Sequence, residues 1–270
     1  VSARATVAEV PGGLLIAEFA GTALLVAAGV SLVIADFGVG GPIAGAVPAA
    51  GLRRLLTGFG FGCVGAMIAV SPIGRISGAH INPVVTAAFW LKGKMRGSLA
   101  LGYVVAQLAG AIVGALPLLL WGKVGASVRF GATMPGDGFG LTAALAGETA
   151  TTAALVGGLF LFVGHRRLRK FTPLLFPFLY AVMVYLEAPI SGTSTNPART
   201  LGPAVVSGAW RGWWVYWLGP VAGALLAVGA HTFTWMRKFE IEVAKLYHFE
   251  HDPHGVFRTS RRLVAPRDGG

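Results

Sequence analysis

The sequence predicts an all-α integral membrane protein of six transmembrane helices and two re-entrant half-helices, built as an inverted internal repeat. Three observations carry that prediction. Of 270 residues, 54% are hydrophobic and only 12% charged, and mean hydropathy is +0.69, whereas soluble domains carry charge at about a quarter of positions. Apolar runs of about 20 residues, the length a helix needs to cross a bilayer, recur along the chain. Two polar decapeptides, SGAHINPVVT at 77–86 and SGTSTNPART at 191–200, interrupt those runs with Ser, Gly, Asn, Pro and Thr at identical offsets.

The first span covers 13–35, with Arg4 ahead of it and Glu18 inside. It shows no small-residue cleavage site before a polar segment, so it is expected to be a retained helix and not a removed leader. The second, 49–70, holds Phe61, Gly62 and the single cysteine, Cys63, which excludes an internal disulfide and most thiolate metal sites. The third, 98–121, carries Tyr103, Gln107 and LAGA. The fourth, 140–163, opens on GETATTAAL (147–155), which answers AEFAGTALL (17–25): Glu148 and Glu18 are each followed four residues on by Thr. The fifth, 172–190, contains Val184 and Glu187, and the sixth, 211–236, repeats the third as Tyr216, Pro220 and VAGA.

Each half holds three spans, an odd number, so the second copy enters the membrane from the opposite side and the duplication is inverted. After each polar interruption come about ten helix-compatible residues, VVTAAFWLKG (84–93) and ARTLGPAVVS (198–207), too short to span. They read as half-helices re-entering from opposite faces, because irregular backbone at membrane depth survives only when buried in protein or lining a wet cavity. Asn82 and Asn196 then face each other near the midplane. Gly21, Ala109, Gly110, Gly114, Gly157, Gly219 and Gly223 are expected to let helix backbones approach, as packing in lipid requires. The boundaries that follow are an N-terminal segment 1–12, a membrane domain 13–236 with repeats 13–122 and 140–236, and a tail 237–270.

A net charge of +11 on one soluble face would suggest nucleic acid, but here the basic residues sit between spans, and no nucleic-acid partner is expected. Arg4, Lys92, Lys94, Arg96, Arg166, Arg167, Arg169, Lys170 and the basic residues of the tail fall on one side of a six-span arrangement. Arg53, Arg54, Lys123, Arg129 and Arg211 fall on the other. The bias places both termini in the cytoplasm, with the bilayer, and most simply the plasma membrane, as surroundings.

Asn is a strong N-cap and Pro is preferred at the first helical position. Asn82–Pro83 and Asn196–Pro197 are therefore helix starts, followed by Val84 and Ala198. The Asn carbonyl oxygen caps while its NH2 stays available as a donor. Two half-helix N-termini aimed at one point place about half an elementary charge each there, which repels a passing cation or hydronium. The unwound segments leave carbonyls outside any helix, those of Gly78, Ala79 and His80 and of Gly192, Thr193 and Ser194. Such a line of acceptors with two Asn donors suits a small neutral solute such as water. Arg199 adds a fixed positive charge at membrane depth, where an ionisable group is a functional candidate; its counterpart in the first half is Val85.

SGAHINPVVT, SGTSTNPART, the paired Glu18 and Glu148, Gln107 before LAGA, and WVYWLGPVAGAL (214–225) together resemble the aquaporin, or major intrinsic protein, family, of bacterial type, over residues 13–236. The resemblance implies a right-handed bundle of tilted helices, a pore in each subunit, a homotetramer, and passive channel activity rather than catalysis. The first loop departs from it, reading Asn-Pro-Val where the family usually has Asn-Pro-Ala, so bulkier Val84 is expected to alter loop spacing.

By the family's spacing the outer selectivity filter maps to Arg199, Thr193, Val184 and Gly62, or to Phe61 if the connection SPIGRISGAH carries one extra residue. Val184 stands where strict water channels commonly have His, which favours a wider or less polar filter. Thr200 and Ala204 stand where glycerol channels have Asp and a basic residue, and favour water. Water is the expected solute, with glycerol or another small neutral solute, such as a metalloid hydroxide, as the alternative. A secondary transporter and a non-conducting scaffold are the rival classes. Glu18 and Glu148 are expected to brace the loops through hydrogen bonds to their backbone. No metal or other cofactor is expected. The tail's His248, His251 and His254 read as a solvated segment, and RTSRR (258–262) as a candidate phosphorylation or anionic-lipid site.

Overall fold

The computed structural model describes residues 10–257. Six helices are long and apolar enough to cross a membrane. In order with the shorter ones they are α1 (Gly12–Phe37), α2 (Ala50–Val70), α3 (Pro83–Leu91), α4 (Gly97–Ser127), α5 (Leu141–Gly164), α6 (Arg169–Ser191), α7 (Pro197–Ser207) and α8 (Val215–Phe233). At 1.5 Å per residue, the 21 residues of α2 span about 30 Å, the thickness of a hydrocarbon core. The 9 residues of α3 and 11 of α7 reach about half of that. RTSRR lies outside the described residues.

Helices pair where glycine removes a side chain. A Cβ on Gly110 or Gly114 of α4 would strike Phe19 O and Ala23 O of α1, and one on Gly223 of α8 would strike Thr149 O of α5. These are the same pair in the two repeats. Between the repeats, Gly58 and Gly62 of α2 lie on the backbone of α6 at Tyr180 and Phe176. Water drives none of this inside a bilayer, so close van der Waals contact does. Gly157, expected to join such a seam, has nothing within 4 Å of its Cβ direction, and Ala109 is exposed; both belong to the outer surface. That surface is apolar, with Ile16, Met67, Leu101, Leu120, Phe178 and Leu186 all exposed, as a lipid-facing or subunit-facing wall requires.

Residues 239–257 depart in part from the solvated segment expected at His248, His251 and His254, of which His254 alone is exposed. They fold back on the end of the bundle where α1 begins and α8 ends, the tail face, burying Ile241, Val243, Ala244, Lys245, Leu246 and Phe257. Lys245 places its chain over the Phe257 ring, 4.8 Å from Nζ to centroid, and Nζ donates to Arg75 O at 2.6 Å and His251 O at 2.7 Å. Burial pushes the Lys245 pKa down to about 8; Asp252 acts against that shift and Arg75 with it. His248 reaches Val70 O at 2.8 Å. The segment lacked a long apolar run, and it docks through that lysine, the His248 contact and the apolar side chains it buries.

Candidate functional site

The two polar decapeptides adopt one backbone conformation twice. Gly78, Ala79 and Ile81 have φ of 88°, 56° and 42°, and Gly192, Thr193 and Thr195 have 87°, 51° and 53°. Left-handed backbone costs about 1–3 kcal/mol at a non-glycine residue and persists only when something outside the loop holds it. That something is a buried carboxylate in each repeat. Glu18 accepts from His80 N (2.9 Å) and Ile81 N (2.7 Å), and Gln107 Nε2 adds a third bond at 2.7 Å. Glu148 accepts from Ser194 N (2.7 Å), Thr195 N (2.8 Å) and Ser191 Oγ (2.6 Å). Tyrosines close both loops, Tyr103 Oη donating to Ser77 O and Tyr216 Oη to Ser191 O at 2.8 and 2.7 Å.

Where the loops meet, each asparagine does two things. Asn82 Oδ1 caps α3 by accepting from Val84 N, and Asn196 Oδ1 caps α7 by accepting from Ala198 N and Arg199 N. Each NH2 then crosses to the other loop: Asn82 Nδ2 donates to Thr195 O and Asn196 Nδ2 to Ile81 O, both at 2.9 Å. The amide groups are thus half committed, not free as the sequence suggested, with one N–H each remaining. The two cross-loop bonds have the same length, and Val84 is packed at 2% exposure. Pro83 and Pro197 sit at the first helical positions, where a missing N–H costs nothing.

Asn82 and Asn196 border a cavity of about 40 Å³ with Phe61, Gly62, His80, Tyr180 and Leu246, room for about three waters. Phe61 faces it beside Tyr180, ring centroids 5.5 Å apart, and Tyr180 Oη pairs with Thr195 Oγ1 at 2.9 Å. Gly62 borders the cavity with its Cα while its missing side chain is what seats α2 on α6.

A second cavity, a vestibule of about 270 Å³, is bordered by Thr57, Gly131, Thr133, Val184, Gly192 and Arg199. The Arg199 guanidinium, 4% exposed, donates to Gly131 O at 2.9 Å, which fixes its charge in the wall. Neither Phe61 nor Gly62 borders this vestibule, whereas Val184 and Arg199 do. The Thr193 hydroxyl donates to Glu187 Oε2 at 2.5 Å. Cys63 is free and half-buried and borders neither space.

Of the six carbonyls expected to be open, those of Ala79, His80, Gly192 and Thr193 have no partner among the described residues. Two are taken. Gly78 O accepts from Leu246 N at 3.0 Å, and Ser194 O accepts from Thr195 Oγ1 at 2.7 Å. Sequence reasoning missed Gly131, Tyr180 and Leu246, since each reaches the site from a distant segment with no motif of its own.

A family model described as Major intrinsic protein matches residues 11–231. Aquaporin A of Dictyostelium discoideum is 34% identical over 230 residues, covering 83% of this chain and 79% of that protein. Aquaporin Z of Photorhabdus laumondii is 29% identical over 236 residues, 83% of this chain and 98% of that one. Among solved structures, the aquaglyceroporin from Plasmodium falciparum superposes with a TM-score of 0.65 at 21% identity, over 82% of this chain and 96% of that chain.

Proposed function

We infer that this chain, which belongs to the major intrinsic protein family, is a passive channel that conducts water while excluding protons and ions. The observation that carries this reading is the crossed pair of asparagine bonds. It holds two helix N-termini tip to tip beside a water-sized cavity, so every passing solute meets two converging positive dipole ends and one spare donor on each amide. Water can hand its hydrogen bonds from carbonyl to Asn to carbonyl; a cation meets the dipoles and then Arg199.

Solute choice rests on the walls. Phe61, Tyr180 and Val184 narrow the route and make it greasy, which favours a single file of water, and Gly62 is spent on the α2–α6 seam and widens nothing. Val184 and a Thr193 hydroxyl held by Glu187 leave few polar partners at the filter, and this favours glycerol as the second reading. The bias of basic residues supports cytoplasmic termini and so a cytoplasmic tail face, and the apolar exterior supports a homotetramer in the plasma membrane.

Proteoliposomes settle the solute. Under an impermeant osmolyte they are expected to shrink faster than protein-free vesicles, and in glycerol to re-swell slowly; Phe61→Ala is expected to speed the glycerol phase. Rapid glycerol entry in the unaltered protein would replace the water reading by the glycerol one.

A further inference from the structure

The tail does more than cover the tail face, because it ends up inside the pore. Leu246 borders the same cavity as Asn82 and Asn196, together with Val85, Leu155 and Phe176, and is 4% exposed. Its backbone N–H donates to Gly78 O at 3.0 Å. Two residues earlier, Ala244 O lies 2.9 Å from His80 Nε2.

The tautomer follows from the network. Gln107 Nε2 donates to Thr86 Oγ1 at 2.9 Å, and Thr86 Oγ1 lies 3.2 Å from His80 Nδ1. Ala244 O can only accept, so Nε2 carries the hydrogen that meets it, and Nδ1 accepts the hydrogen bond that Thr86 Oγ1 donates. Gly78 O and His80 Nε2–H are one acceptor and one donor at the start of the first unwound segment. The tail backbone satisfies both, as a water molecule arriving there would.

The fit is close. Gly78 has φ of 88°, and a Cβ there would stand 3.0 Å from Ala244 O and 3.2 Å from Lys245 Cα, so any side chain at this position would be strained and would push the tail outward. The turn that presents the segment is tied on itself: Asp252 accepts from Val256 N and Phe257 N at 3.0 and 3.1 Å, and Phe257 O accepts from Ala244 N at 3.0 Å. Arg169 ties its outer edge, to Glu242 at 3.3 Å and Glu250 at 3.9 Å, with its guanidinium 5.5 Å from the Phe249 ring centroid; such surface ion pairs are worth about 1 kcal/mol or less each.

We propose that Ala244–Lys245–Leu246 is an autoinhibitory plug, which closes the tail-face mouth of the pore by occupying the hydrogen-bonding positions of Gly78 and His80 and filling the route with the Leu246 side chain. Release of the segment opens the channel. The inference rests on the channel reading.

Two measurements test it. Water permeability per protein is compared in vesicles bearing the full chain, Leu246→Ala and Lys245→Ala. If the tail is docked nine-tenths of the time, release raises flux about tenfold, and both variants should exceed the full chain. Equal and fast flux in all three overturns the plug and leaves the channel standing. Flux at the level of protein-free vesicles in all three overturns the channel reading and the plug with it. Separately from flux, Val243→Cys, at a tail position buried at 5% exposure, in a Cys63→Ser background should react slowly with a soluble maleimide, while His254→Cys reacts fast. Equal labelling rates would show an undocked tail and overturn the proposal.

Discussion

Glu187 accepts from the hydroxyl of Thr193 at 2.5 Å through one carboxylate oxygen, while the other is buried against Gly147 with no hydrogen-bond partner among the described residues. The bond occupies a filter candidate's only polar side-chain atom. Glu187→Ala removes the acceptor, frees the hydroxyl to face the pore, and leaves a cavity. Thermal unfolding in detergent should show a loss of about 1–3 kcal/mol, and the ratio of glycerol to water permeability should shift. Glu187→Gln keeps an acceptor and should retain the ratio; a ratio unmoved by both changes would mean that Thr193 does not line the filter.

Glu18 and Glu148 each receive two backbone N–H groups from a strained loop. A glutamine offers one oxygen and turns an NH2 toward the second donor, leaving a buried clash of donors at about 1–3 kcal/mol. Glu18→Gln and Glu148→Gln should therefore lower stability and abolish flux to similar extents. Melting curves that moved in only one variant would break the two-fold account of the loops.

Glycine at the helix seams is required by contact. Gly110→Ala and Gly223→Ala place a methyl on the partner backbone and should abolish folded protein in membranes, measured as the monodisperse yield after solubilisation. Gly157→Ala meets open space and should be recovered at the unaltered yield.

How much of this was legible beforehand follows from where the information sits. The loops, their carboxylate braces and the half-helices could be read because polar residues inside apolar runs have no innocent placement in a bilayer. The second-span filter residue could not, because α2 stops at Val70, Ser71 is extended and a new helix starts at Pro72, so counting back from Asn82 crosses a break of unknown length. Nor could the tail, whose mixed sequence becomes ordered only against Gly78, Val70 and Arg75.

Lys245 makes tail docking pH-dependent with a defined sign. Its docked pKa is about 8 against an ordinary 10.5, so burial of the charge opposes docking fully below pH 8, and that opposition fades as pH rises toward 10.5. The charged and titratable groups around it are Arg75 before the first loop, His80 within that loop, and His251 and Asp252 of the tail. Protection of Val243→Cys from maleimide, corrected for reagent reactivity, should rise across that window, and Lys245→Met should flatten the profile.

The central claim, passage of water without protons between Asn82 and Asn196, is met most directly by following vesicle volume and an internal pH dye together in Leu246→Ala proteoliposomes. The account predicts water flux well above protein-free vesicles with proton flux at their level, and proton leak only on further replacing Arg199 by Val. Water flux no faster than protein-free vesicles, or protons moving with the water while Arg199 is in place, would contradict it.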